Sequence, residues 1–184
     1  MRTILVFLVL AASFSAQQLL PTGQLLTPLA APEARIQLLR PGLKDDPGFA
    51  ADGAVTSLLS ADGRTLLVLT SGYNQQNFSS GPQLGRVNQA DSGDYLFIYS
   101  LVQHQPQLQQ ALPIPSAFGG LAMSPDGGTI FASGGENDSV HIFTRADGAW
   151  RESQSPLALG HRRGLGSFMK PEVAGLAVSP DGAT

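Results

Sequence analysis

No cysteine occurs among the 184 residues of the chain. That excludes disulfide bridges, thiolate zinc sites and lipid attachment to an N-terminal cysteine. A dominant charge is also missing, since 11 Lys and Arg stand against 14 Asp and Glu, a formal net of -3. Nucleic acid requires a basic footprint, so it is a poor partner for this chain. A membrane-spanning helix takes about 20 apolar residues, and the run Ile4 to Leu10 is far shorter. Histidine is scarce: His104, His141 and His161 are widely separated, and no HExxH spacing exists. The glycines of "GGLAMSPDGG" lack the Lys-Ser/Thr ending of a phosphate loop, and no serine sits in Gly-x-Ser-x-Gly. The sequence therefore assigns no catalytic residue, no metal site and no cofactor.

Glycine (21) and proline (13) are plentiful and gather between apolar stretches. Such punctuation belongs to a turn-rich all-β protein. With 42% hydrophobic residues, the chain can build one domain with a real core.

The N-terminus has a short positive start (Met1, Arg2), an apolar core and the small residues "AASFSA". This is the pattern of a secretory signal peptide over residues 1–16, cleaved near Ser15 or Ala16. It predicts export to the periplasm or the exterior. Residues 17–54 carry Pro21, Pro28, Pro32, Pro41 and Pro47 and read as an extended lead-in, with a short strand at "RIQLL" (Arg35 to Leu39). Proline bars this segment from a central strand position.

Regularity begins at residue 55. "VTSLLSADGRTLLVLTSG", "GLAMSPDGGTIFASGG" and "GLAVSPDGAT" align at Asp62, Asp126 and Asp181. In Ser-Pro-Asp-Gly, Pro presets φ, Asp suits the next position, and Gly accepts the left-handed region. The expected result is a type I turn closing a hairpin with a bulge. A third strand follows each complete hairpin, "DYLFIYSL" and then "SVHIFT". A fourth is expected at Leu108 to Ile114 and within Ala149 to Leu159. Leu66, Leu67, Val68 and Leu69 are apolar on both faces, so sheets must stack on sheets.

Four-stranded antiparallel units repeated along a chain make a β-propeller. The predicted architecture is a partial propeller over residues 55–184, with blades at about 55–114 and 120–159 and a truncated one at 174–184. Closed propellers use about four to eight blades. The expectation is a fragment of a larger propeller, completed by further blades of the same polypeptide, with Ala174 to Ser179 as an open-edged strand.

Two insertions interrupt the repeat, Ser71 to Gly93 and Gly160 to Val173. One joins the second and third strands of a blade, and the other joins two blades. Both must leave from the same end of the sheets, opposite the Asp-Gly turns. Candidate ligand contacts on that end are Tyr73, Asn74, His161, Arg162, Arg163 and Lys170. The four basic residues suit an anionic ligand; the plain alternative is a solvated loop. His104 in a turn, His141 in mid-strand and the short "GGENDS" read as ordinary structure.

"GLAMSPDGGTIFASGGENDSVHIF" resembles the YVTN-type, YncE-like β-propeller repeat of bacterial secreted proteins. "LLVLTSGYN", "ALGHRRGLG" and "KPEVAGLAVSPDG" are similar to the N-terminal part of bifunctional YncE/alkaline-phosphatase-family proteins. The resemblance implies a secretory signal, a propeller and then a phosphoesterase domain, whose activity attaches to no residue here. The expected function is an exported binding or scaffold module, non-catalytic by itself, that meets a ligand or protein on its long-loop face. The alternative is the propeller part of a hydrolase, phosphoesterase-associated or lactonase-like, with its catalytic region elsewhere.

Overall fold

A computed structural model of the chain describes residues 18–19, 25–26, 37–72, 74–103, 105–161 and 171–182. The expected signal peptide and the turn residue His104 lie outside the described residues. The chain divides into two compact units, Met1–Gln37 and Leu38–Thr184. In the first, β1 (Gln18–Leu19) pairs antiparallel with β2 (Leu25–Leu26).

The second unit is all-β. Strands β3 (Ala54–Leu59), β4 (Thr65–Thr70), β5 (Asp94–Val102) and β6 (Gln105–Ile114) form an antiparallel sheet in chain order. Strands β7 (Leu121–Met123), β8 (Thr129–Ser133), β9 (Ser139–Ala146) and β10 (Ala149–Glu152) repeat that order in a second sheet. A short β11 (Leu157–Ala158) pairs with β9 beyond the end of β10. The fourth position of this sheet is thus filled by two pieces, where one weaker strand is expected within Ala149 to Leu159.

The apolar run in β4 is buried on both sides. Leu67 and Leu69 join Leu96, Ile98 and Ile114 against Ile130, Phe143 and Trp150 of the second sheet. Leu66 and Val68 lie on the other face with Tyr95, Phe97 and Tyr99. That face is covered by Leu39, Leu43, Phe49 and Ala51. The lead-in therefore supplies core, although it forms no strand in this unit. Of the strand expected at 35–39, Arg35 and Ile36 lie outside the described residues, and Leu39 makes only an isolated bridge to Ala51. Pro41 and Pro47 remove donors that a longer ladder would need.

The repeated turn forms three times with the same bonds. The Gly63 N–H donates to Ser60 O, Gly127 to Ser124 O and Gly182 to Ser179 O, at 2.8–2.9 Å. Each serine hydroxyl donates to the aspartate two residues on. The three glycines have φ of 69°, 71° and 69°, which is why glycine stands there. The expected strand at Ala174 to Ser179 is not formed among the described residues. Val173 bridges Gly135, and the rest carries no ladder. A strand needs a partner, whereas the Ser179–Gly182 turn closes on its own bonds.

Hydrogen bonds help to tie the sheets together. The Thr56 hydroxyl donates to Gly119 O at 2.7 Å. At the other side of the seam, the register of β6 shifts between Ile98 and Tyr99 and leaves Gln109 without a partner. The neighbouring Gln110 reaches across to β10: its Nε2 donates to Trp150 O at 2.7 Å, and Trp150 N donates to its Oε1 at 2.9 Å.

Candidate functional site

Antiparallel order sends the β4–β5 and β8–β9 connections to one end of the sheets and the Asp-Gly turns to the other. A cleft of about 480 Å³ opens at the first end, lined by Ser71, Asp94, Phe118, Glu136, Asn137 and Glu172 among others. Asp62 and Asp126 line a separate cleft at the second end.

The β4–β5 connection folds back on itself. Asn74 bridges Gly93, Asn77 bridges Val87, and a short 3-10 turn spans Gly81–Gln83. The Asn74 side chain accepts from Asp52 N at 2.7 Å and donates to Asp52 O at 3.5 Å. Its amide thus braces the loop base against the lead-in. Ser79 Oγ adds a bond to Asp45 O at 2.8 Å. The carboxylate of Asp94, at the start of β5, is buried and accepts from Ala117 N at 2.8 Å. That bond fixes the cleft wall formed by residues 115–118.

His161 is held from beneath. Its N–H donates to Asp138 Oδ2 at 2.6 Å, and its ring Nδ1 lies 2.7 Å from Asp138 Oδ1. The Asp138 side chain is 4% exposed and the His161 side chain 62% exposed. Leu159 N also donates to Asp138 O at 2.9 Å. Asp138 is therefore the anchor of the segment that follows β11. It occupies the β8–β9 turn at φ 52°, a left-handed position that aspartate tolerates better than most residues. With Nδ1 committed to the carboxylate, Nε2 is the ring nitrogen available to a ligand. Buried carboxylates orient exposed imidazoles in this manner wherever a histidine must present one defined nitrogen.

Tyr73, Arg162, Arg163 and Lys170 lie outside the described residues. Of the six expected contacts, Asn74 and His161 are placed, both at the loop-bearing end. The sequence pattern did not single out Asp138, because its partner stands far along the chain and no local period links them. Glu136, in the same turn, borders the cleft and adds negative charge there.

His141 is buried in the second sheet. Its Nδ1 lies 2.7 Å from Glu152 Oε1, and its ring stacks on Phe143 with centroids 6.3 Å apart. Among the described residues, Ser139 Oγ and His141 Nε2 are buried without a hydrogen-bond partner. Both flank Gly134, and both are sealed inside the protein, so they offer no surface chemistry. Among the described residues, no group of three or more His, Asp or Glu could hold a metal ion. Among the same residues, no helix is long and apolar enough to cross a membrane.

Comparison with protein-family models, with curated proteins and with solved structures returns no match for this chain.

Proposed function

We propose that the two sheets are successive blades of a propeller of the YVTN, YncE-like kind, and that the chain is an exported binding or scaffold module, non-catalytic by itself. It engages a protein partner or an anionic ligand through its loop-bearing end. The supporting observation is the buried Asp138 carboxylate, which orients an exposed imidazole at the end where the long connections meet a cleft. Loops on a rigid sheet scaffold are where binding usually sits. The equivalent strand order of the two sheets and their shared Ser-x-Asp-Gly turns support the repeat reading.

The test is site-specific photo-crosslinking in an exporting bacterial host. A photoreactive residue replaces Glu136 at the loop-bearing end or Gly127 at the turn end. A discrete adduct from position 136 that is lost in His161→Ala supports the proposal. Adducts from position 127 alone, or an uncleaved N-terminus in the cell envelope fraction, would overturn it.

A further inference from the structure

A second site lies at the opposite end of the fold, where the sheets meet around Arg145. Two grooves of about 280 and 290 Å³ adjoin there, and both are lined by Thr65, Arg145 and Trp150. The first groove adds Ser100, Gln109 and Gln110 and contains no carboxylate. Its floor is the Gln110–Trp150 latch, so its walls belong to both sheets and are held at a fixed separation. Arg145 sits opposite Trp150 in the β9–β10 ladder. The turn between these strands is Asp147-Gly148, with φ of 51° and 81°. Two left-handed residues in a two-residue loop make a tight type I′ hairpin, which fixes the base of the Arg145 side chain.

Among the described residues, the Arg145 guanidinium has no hydrogen-bond or ion-pair partner. Asp62 and Asp126 in the second groove do not neutralise it. Each turns Oδ1 to a serine hydroxyl and a backbone N–H of its own turn. Arg145 thus stands as one unpaired planar cation between a carboxylate-free groove and one that repels anions. A carboxylate suits such a fork through two parallel bonds. It must enter along the first groove, where the Thr65 and Ser100 hydroxyls and the Gln109 amide oxygen remain for further polar groups; Gln109 Nε2 already donates to Ser100 Oγ at 2.9 Å and to Gln107 O at 3.2 Å. Ile98, Tyr99 and Trp150 border the groove but are themselves buried, so its polar side chains carry the recognition.

We propose that this groove binds the C-terminal carboxylate of a short peptide, with Arg145 as the carboxylate contact and the hydroxyl and amide side chains along the peptide backbone. Free phosphate would satisfy Arg145 but leave the rest of the groove unused. The chain has one tryptophan, and Trp150 borders both grooves, so no other tryptophan contributes to the emission read at this site.

The experiment titrates the purified chain with acetyl-Ala-Ala as the free acid, with the same dipeptide as its C-terminal amide, and with inorganic phosphate. The expected result is a saturable change in Trp150 emission with the free acid and at least about tenfold weaker binding of the amide and of phosphate. Arg145→Gln should abolish the response, and Arg145→Lys should retain part of it, because charge survives but the fork does not. Arg145 is exposed, so both variants should melt with the parent protein. His161→Ala, at the other end, should bind the free acid unchanged, which separates this site from the loop-bearing one. Equal binding of acid and amide, equal binding of phosphate, a full response in Arg145→Gln, or no response up to about 10 mM would overturn the proposal.

Discussion

Replacing Gln110 tests how the two sheets are joined. The Gln110 amide does for β10 what a neighbouring strand would do, giving one donor and one acceptor to the backbone of Trp150. Gln110→Ala removes both at once. A net hydrogen bond contributes about 0.5–1.5 kcal/mol, and a buried group left unpaired costs about 1–3 kcal/mol. The latch borders a groove, so water recovers part of that loss. The expected destabilisation is about 2 kcal/mol, large against a typical total of about 5–15 kcal/mol. Gln110→Glu gives a sharper signature. One carboxylate oxygen still accepts from Trp150 N–H, but the other opposes Trp150 O. Protonation restores a donor, so the folded-state pKa of the new carboxyl lies above the ordinary value of about 4.3. The native state then binds the proton more tightly than the unfolded state does. Stability of Gln110→Glu must rise relative to Gln110→Ala as pH falls from about 6 to about 4. Urea unfolding followed by Trp150 fluorescence at several pH values measures both effects. A Gln110→Ala variant within about 0.5 kcal/mol of the parent, or a Gln110→Glu variant that parallels it at every pH, would refute the latch.

Asp138→Ala should cost about 2 kcal/mol, through two lost charge-assisted bonds and a left-handed backbone that alanine resists, with faster amide exchange at Leu159 and His161 as the readout. Gly134→Ala should destabilise by at least about 1–3 kcal/mol in a thermal melt, because a Cβ there would lie 2.2 Å from Ser139 Oγ and 2.9 Å from Ser139 O. The Tyr95 phenol is pushed up to about 12, first by burial and then by the charges of Asp91 and Asp94. It keeps its proton when the unfolded chain has begun to lose its own near pH 10. The Tyr95 contribution to stability should therefore be constant below about pH 10 and fall between about pH 10 and 12, as checked by ultraviolet absorbance and unfolding at each pH. The purified chain should hydrolyse neither phosphoesters nor lactones above a buffer blank. Metal-dependent turnover that disappears in His161→Ala would contradict a non-catalytic module.

The parts of the fold that are legible in the sequence rest on local chemistry. Ser60-Ala61-Asp62-Gly63 and its two copies close on bonds within a few residues, so their letters specify them. The double-sided run Leu66 to Leu69 announces a strand packed on both faces, because successive side chains must point to opposite sides. The cover over Tyr95, Phe97 and Tyr99 is not announced. Leu39, Leu43, Phe49 and Ala51 have no period, and only the assembled aromatic face gives them a place. The same holds for His161. Its loop and basic neighbours were readable, but the carboxylate that aims it comes from another turn. Arg145 reads as an ordinary strand-end arginine until the bulge at Gln109 brings β6 beside β10.

This division carries over to binding. At the turn end, among the described residues, the Ser-x-Asp-Gly turns close on their own hydrogen bonds and the Asp147-Gly148 hairpin is two residues long. A site built there loses little freedom when a ligand arrives, and a single guanidinium can select a small, well-defined group. At the loop-bearing end, the described backbone of residues 74–93 is braced by its own cross-bonds, Asn74 with Gly93, Gln76 with Asn88 and Phe78 with Arg86, and is tied to the lead-in by Asn74 on Asp52 and Ser79 on Asp45. Among the described residues, Asp138 anchors His161. Such an end can offer a broader surface around a fixed imidazole. If so, the two ends respond differently to the same perturbation. Rigidifying the long connection, for example by Gly85→Ala, at φ 78° where nothing lies within 4 Å of the new methyl, strains only the loop. It should alter partner capture at position 136 and leave the Trp150 titration unchanged. A matched change in both would mean that the ends are coupled through the sheets, and the assignment of two independent sites would fail.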